Sequence, residues 1–405
     1  MNNYETQQTI QRLPALDSLR GFAVLGILAM NIQSFSMPQA AYINPTAYGD
    51  FSGINKLAWL LSHVFFEAKF MAIFAMLFGA GLLIFCQRLE ARGENSFPRH
   101  ASRMFWLMLL GIAHGYLLWY GDILFCYAVC GLLVYSMRHW AASRLMITAI
   151  LLLGISMLPN LISQATLPLF DSATLAAFSN DWAPDNATIT AEINAYRGSW
   201  QAQFEQRSQI TWYMQTTALL LLFVWRVSAL MLIGMALYKV GVFTRARRFL
   251  LHSALGFFAL GFSLVGYGLW FNFEHKFDFF HSYLLGGQFN AIGSIFVALG
   301  YIHLLLWLMQ RGLAKRCFKL LANLGRMALS NYILQSLICA LLFYGIGLGL
   351  FGQVERWQQW LIVFSLWLLQ LMFSHYWLKA FRAGPLEWLW RKLSYLPWAL
   401  KSKAN

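Results

Sequence analysis

Residues 18–37 read SLRGFAVLGILAMNIQSFSM, a run in which Arg20 is the only charged side chain. As a helix rising about 1.5 Å per residue, such a run is about 30 Å long, the thickness of the hydrocarbon core of a bilayer. Comparable stretches follow at 65–86, 103–119, 122–137, 145–165, 213–238, 249–272, 286–309, 327–350 and 357–378. The expectation is therefore an all-α polytopic integral membrane protein with about ten transmembrane helices. Composition agrees. Of 405 residues 59% are hydrophobic and 11% charged, against about 25% charged in a soluble domain. The 17 Trp and 34 Phe exclude a disordered chain.

The formal charge is +14, from 30 Lys and Arg against 16 Asp and Glu. Its distribution matters more than its sum. The amino end, the connections at 88–103, 138–144, 239–248 and 311–326, and the segment 379–403 together hold 23 of the 30 basic residues. These segments lie on alternate sides of the expected spans. The other connections hold Lys56, Arg197, Arg207, Lys276 and Arg356, while Lys69 and Arg226 fall inside or beside spans. An excess of Lys and Arg on one side marks the cytoplasmic face, so both termini are expected there. No basic cluster requires a phosphate backbone to explain it, and nucleic acid is excluded as a partner.

No cleavable leader is expected, because the amino end is polar and the first span lacks a small-residue cleavage pattern. Cys86, Cys126, Cys130, Cys317 and Cys339 give no disulfide framework, and the histidines show no metal-ligand spacing. Walker A, HExxH and GxSxG motifs are absent from the sequence. The organisation read from the chain is a membrane domain over 1–378, a long outer loop at 166–212 and a basic cytoplasmic tail at 379–405. An amphipathic helix lying on the surface is expected within 190–212. Tyr120-Gly121-Asp122 makes the third and fourth spans a tight hairpin.

Polar side chains inside spans are costly, so each is a functional hypothesis. Arg20 and Asn31 are eleven apart, which returns them to one face of the first helix about 16 Å apart, and Asp17 precedes Arg20 by a turn. Glu67, Lys69, His114, Asp122, Arg226, Gln288 and Asn290 fall at similar outer depth. Ser330, Asn331, Gln335 and His375 lie deeper, towards the inside. Any one of them also has a plainer reading as a helix–helix hydrogen bond. Together they suggest a wet cavity open to the outer half, with a polar thread leading inward.

Leu16-Asp17-Ser18-Leu19-Arg20-Gly21 at the first span resembles the YeiB family of bacterial inner-membrane proteins, a domain of unknown function. The resemblance runs along nearly the whole chain. It includes PxAAYxNPxxYG at Pro38–Gly49, KFxxxFxMLFGAG at Lys69–Gly81 and HGxLLWYGDILFxYAxCG at His114–Gly131. It continues with WRxxxLMLIGMALYKxGV at Trp225–Val242, GRMALSNYxxQS at Gly325–Ser336 and GPLEWLWR at Gly384–Arg391. Residues 1–160 are also similar to transmembrane acyltransferases, with 213–400 as the YeiB-type carboxyl-terminal region. Those acyltransferases, heparan-α-glucosaminide N-acetyltransferase and the type 3 proteins, move an acyl group from cytoplasmic acyl-CoA to a sugar on the far side. The heparan enzyme carries Asn where this chain has Asn31. Its catalytic histidine follows in the first outer loop, where the spacing here lands on Tyr42 and the nearest histidine is His63.

The first functional expectation is thus an acyltransferase using acyl-CoA as donor substrate and no metal. His114 would act as base with Asp122 fixing its ring, and Asn31 would donate to a tetrahedral oxyanion. Arg20, with Asp17 beside it, and Arg326 would hold the CoA phosphates, because guanidinium pairs with phosphate bidentately. Asn331 would flank the pantetheine arm, and Glu67, Lys69, Arg226, Gln288 and Asn290 would face an acceptor such as a saccharide. A transporter for a small solute and a non-catalytic membrane protein are the other readings, and a homo-oligomer stays open with each. Density for a nucleotide near Arg20 discriminates the first from the second.

Overall fold

The computed structural model describes residues 13–244 and 248–401, with side chains described up to residue 395. Arg12, Arg245, Arg247 and Lys403 of the charge pattern lie outside the described residues. Every element is a helix, with no strand among the described residues. The chain opens with α1 (Pro14–Ser36), a short α2 (Gln39–Ile43), α3 (Gly53–Phe65) and α4 (Lys69–Glu90). α5 (Ser96–Leu117) and α6 (Leu124–Tyr135) form a hairpin, followed by α7 (Ala142–Thr166). Next come α8 (Ser172–Trp182), α9 (Asn186–Arg197) and α10 (Trp200–Gln215). α10 runs through a π turn at Leu219–Phe223 into α11 (Val224–Lys239). α12 (Leu250–Glu274), the short α13 (Phe279–His281) and α14 (Gly287–Gln310) precede α15 (Lys315–Arg326), α16 (Ala328–Phe343), α17 (Arg356–Ala380) and α18 (Pro385–Lys401).

All ten expected stretches overlap helices, but among the described residues seven helices are long and apolar enough to cross a membrane, or eight if the bent α15–α16 pair is one span. The shortfall has a cause. α5 spends its first turns on Arg99, His100 and Arg103, and α6 has 12 residues, about 18 Å, because the preceding turn consumes Tyr120–Asp122. α15 and α16 meet at an angle of 80°. Asn331 holds that bend by donating to the carbonyls of Leu324 at 3.4 Å and Met327 at 3.0 Å. Such carbonyls are the groups that a helix break leaves without intrahelical partners.

Hydrogen bonds tie the helix ends into two separate layers. At one end Arg138 reaches Glu90, Lys239 reaches the Trp140 carbonyl, Arg326 reaches the Arg382 carbonyl and Trp390 reaches the Arg103 carbonyl. At the other, Arg356 bonds the carbonyls of Pro45, Tyr48 and Asp50, the Gly352 amide bonds the Ser36 carbonyl, and Asn44 reaches Trp182. The first layer, here the basic end, gathers the segments that hold most of the Lys and Arg.

α1 packs against α4, α15, α16 and α17. Where α1 meets α15 the backbones nearly touch: a Cβ on Gly21 would run into the Leu321 carbonyl, and one on Gly325 into that of Asp17. Gly79 and Gly234 allow the same approach between α4 and α11. Small residues at crossings are how helices associate where lipid removes the hydrophobic drive between them. The outward faces are apolar, as lipid requires. Ile147, Ile150 and Leu151 of α7 are 60%, 61% and 62% exposed.

Two segments carry more structure than the sequence announced. α10 buries one face, where Arg207 and Thr211 bond the Tyr116 and Gly115 carbonyls and dock it along α5, while Trp200, Trp212 and Tyr213 are exposed. The basic tail contains a helix, α18. It fits because Glu387 accepts from the Leu329 and Ser330 amides at 2.8 and 3.1 Å, capping the free start of α16.

Candidate functional site

A cavity of about 260 Å³ opens at the basic end. α1 lines it with Arg20, Val24 and Ile27, residues spaced by four and three and so on one helix face. Its mouth carries Arg20, Arg103, Arg326 and Glu387, and its deeper walls are apolar, ending at Ile123, Leu124, Tyr127 and Tyr332. Arg20 is held by Asp17 at 3.1 Å and stays 28% exposed. The Arg103 guanidinium lies over the rings of Phe85, at 4.4 Å, and Trp390, at 4.2 Å. Its neighbours are rings rather than carboxylates, which leaves its charge for an anion entering from outside. Of the residues expected at an anion site, Arg20, Asp17 and Arg326 gather here. Asn331 does not; besides holding the helix bend it bonds the Ser374 hydroxyl, so it staples α16 to α17.

Beyond the inner wall lies a chain of three side chains. His114 on α5 bonds Asp122 Oδ1 through Nδ1 at 2.9 Å and Ser336 Oγ on α16 through Nε2 at 2.8 Å. The other oxygen of Asp122 accepts the Phe125 amide at 2.8 Å. Against an ionised carboxylate, which only accepts, Nδ1 carries the ring proton and Nε2 is left to accept from the Ser336 hydroxyl, whose other acceptor is the Tyr332 carbonyl at 3.3 Å. Serine, imidazole and carboxylate in this order form a relay that can draw a proton from an oxygen. The relay is closed in this conformation: the His114 and Asp122 side chains are each 1% exposed. Tyr332, one helical turn before Ser336, separates it from the cavity. Its ring lies 5.1 Å from that of His114 and its hydroxyl donates to the Gly121 carbonyl at 3.3 Å.

Asn31 is not part of this chain. It follows Ile27 by four but does not line the cavity, is partly exposed, and shares no hydrogen bond with His114. The outer polar residues do not form one wet cavity with His114 but a second, buried network. There Lys69 Nζ donates to the His63 carbonyl and to Asn290 Oδ1, both at 2.6 Å, while His63 Nδ1 meets Glu67 at 2.6 Å. Arg226 reaches the Ala291 carbonyl at 2.8 Å and Ser294 at 3.3 Å. Gln288 stays apart and bonds the Leu284 carbonyl of the preceding turn. The reason is the cost of burying Lys69, which every available acceptor nearby must offset. Tyr42, at the position of the heparan enzyme's histidine, is no base: burial, reinforced by Glu67, pushes its phenol well above the ordinary range.

Ser336, Tyr332, Arg103 and Trp390 drew no role from the sequence. Tyr332 and Ser336 are four apart, a shared helix face that was legible. Their partner on α5 was not, since 222 residues separate Ser336 from His114.

The chain is similar to known proteins along its whole length. It is 35% identical over 399 residues to the uncharacterized protein YeiB of Escherichia coli (strain K12), covering 95% of this chain and 97% of that one. It is 27% identical over 415 residues to the uncharacterized protein YxaH of Bacillus subtilis (strain 168), covering 98% of each. Residues 237–397 match the family described as a protein of unknown function, DUF418. No solved structure matches the chain. The stretch common to chain and relative takes in nearly everything from the first helix to the docked carboxyl-terminal one, and on that ground the chain belongs to the YeiB family.

Proposed function

We propose that this protein is a transmembrane acyltransferase of the bacterial inner membrane, taking an acyl group from cytoplasmic acyl-CoA and passing it to an acceptor on the outer side. The observation that carries the reading is one alignment: a guanidinium-rimmed cavity at the basic end runs up to Tyr332, and the Ser336–His114–Asp122 relay lies directly behind that ring. The basic end is the cytoplasmic one by the excess of Lys and Arg, with both termini there. Arg20, Arg103 and Arg326 then pair with the nucleotide phosphates, and the narrow apolar passage suits the slender pantetheine arm.

Buried proton transfer supplies the chemistry. His114, held in one tautomer by Asp122, takes a proton from the attacking group and returns it to the leaving sulfur, a contribution typically worth about 10²–10⁴ in rate. Asn31, one turn past the last α1 residue that lines the cavity, is the proposed donor to the oxyanion, a role worth about 10²–10³ elsewhere. The acceptor class, a saccharide hydroxyl or amine, comes from the resemblance to the sugar acyltransferases.

A transport reading draws on the second network around Lys69. That lysine is fully buried, bonded on two sides and not part of the cavity lining, so a structural role accounts for it. The deciding experiment supplies membrane vesicles with acyl-CoA labelled in the acyl group. Release of CoA from the donor, with label appearing in material across the membrane, is the expected result. Movement of an unmodified solute with no CoA released, for short and long acyl chains alike, would return the choice to transport.

A further inference from the structure

Resting on that reading, we propose that Ser336 is the nucleophile that carries the acyl group, so that transfer proceeds in two steps through an ester on its Oγ. The case is one of occupied valences. Nδ1 of His114 is engaged by Asp122, and Nε2, its single basic nitrogen, is engaged by Ser336 Oγ at 2.8 Å. An acceptor coming directly to this base would first have to expel the serine. The nearest proton for His114 is the serine's own, which the hydroxyl delivers by turning from its other acceptor, the Tyr332 carbonyl at 3.3 Å, to Nε2 at 2.8 Å. Ser336 also follows Tyr332 on one face of α16, which puts its hydroxyl one turn beyond the ring that closes the inner end of the cavity. Joining passage and hydroxyl requires that buried ring, whose hydroxyl bonds the Gly121 carbonyl at 3.3 Å and also meets the Ile123 backbone, to move aside.

The balance closes without further reagents. In the first step the Ser336 O–H gives its proton to His114 Nε2 while Oγ forms a bond to the thioester carbonyl carbon. The carbon–sulfur bond breaks, and the departing thiolate takes the proton from Nε2, leaving as CoA thiol. In the second step the acceptor hydroxyl or amine gives its proton to Nε2 and attacks the ester carbonyl. The carbon–Oγ bond breaks and the proton returns to Oγ. Asp122 takes no proton in this balance: Oδ1 holds the ring and Oδ2 accepts the Phe125 amide.

The test uses the purified full chain and an alkyl fluorophosphonate, which reacts with a serine activated by a base by losing fluoride to its oxygen. Peptide mapping is expected to find the phosphonyl group on Ser336, at a rate lowered at least tenfold in His114→Gln. Labelling with acetyl-CoA is expected to leave a hydroxylamine-sensitive acetyl on the same peptide. Ser336→Cys, checked for a monodisperse elution profile, keeps a nucleophile and is expected to hold the acetyl as a thioester. Overturning results are no Ser336 adduct with either reagent in the wild type, or equal labelling in His114→Gln. Failure of the two readings separates cleanly. CoA release that persists in a folded Ser336→Ala variant leaves the acyltransferase standing and removes the acyl-serine. Phosphonylation of Ser336 with no CoA turnover leaves an activated serine and removes acyl-CoA as donor.

Discussion

His114 Nε2 and Ser336 Oγ lie 2.8 Å apart in a site from which water is nearly excluded, although 222 residues separate them. Removing the hydroxyl leaves a buried ring nitrogen unpaired. Leaving a buried polar group unsatisfied costs about 1–3 kcal/mol. Ser336→Ala is therefore expected to lower the thermal midpoint in detergent, and its loss combined with that of His114→Phe, which also strips Asp122 of its partner, is expected to be less than additive. A double-mutant cycle showing no coupling would mean that the two groups do not interact in the folded protein.

Glu387 accepts from two amides at the start of α16 and from the Ser330 hydroxyl at 2.5 Å. It thereby holds α18 under the bundle and shapes the cavity mouth. Loss of a helix cap costs about 0.5–2 kcal/mol. Glu387→Ala should destabilise the protein by that order and make the peptide bonds around 380–385 more accessible to protease. Unchanged protease resistance would show that α18 is held by Trp390 and its other contacts alone.

Lys69 is enclosed by the His63 carbonyl and Asn290. Asn290→Leu removes an acceptor from a buried amine, and losing a hydrogen bond to such a group costs about 1.5–3 kcal/mol. The expected readout is a sharp loss of folded, monodisperse protein. Lys69→Met in the same background is expected to restore some of it, since an amine that is absent needs no partner. If the double variant is no better than Asn290→Leu, the lysine is not what that amide serves.

Glu192, outside the spans on α9, accepts the Gln39 amide at 3.0 Å, yet burial raises its pKa from 4.5 to about 7. In this range the folded protein binds a proton that the unfolded chain has lost. Stability from this group is thus full below about 4.5, falls as the pH rises towards about 7, and stays lowered above it. Melting curves across that window should slope downwards for the wild type and less so for Glu192→Gln. Parallel slopes would show that Glu192 titrates normally.

The helices were legible because lipid imposes one periodic demand on every span: about 20 apolar residues with polar ends. Where that demand is relaxed the reading slipped. α6 is shortened by the turn at Tyr120–Asp122, and α10 buries Arg207 by way of the Tyr116 carbonyl, a partner that no local pattern announces. The same division runs through the site. His114 and Asp122 are eight residues apart across a tight hairpin, and Arg20 shares a helix edge with the cavity stripe, so both could be read. Ser336 beside His114, Asn290 beside Lys69 and Trp390 beneath Arg103 are joined across more than 200 residues and follow only from how the helices pack.

The central claim is that the cavity at the basic end is built for coenzyme A. Equilibrium binding of radiolabelled CoA to the purified full chain tests it most directly. The predicted result is saturable binding that weakens with salt, as partly exposed charges require. Arg103→Ala and Arg20→Lys should each weaken it at least tenfold, the lysine because a point charge cannot replace the planar fork. No saturable binding, or binding indifferent to both arginines, would contradict it.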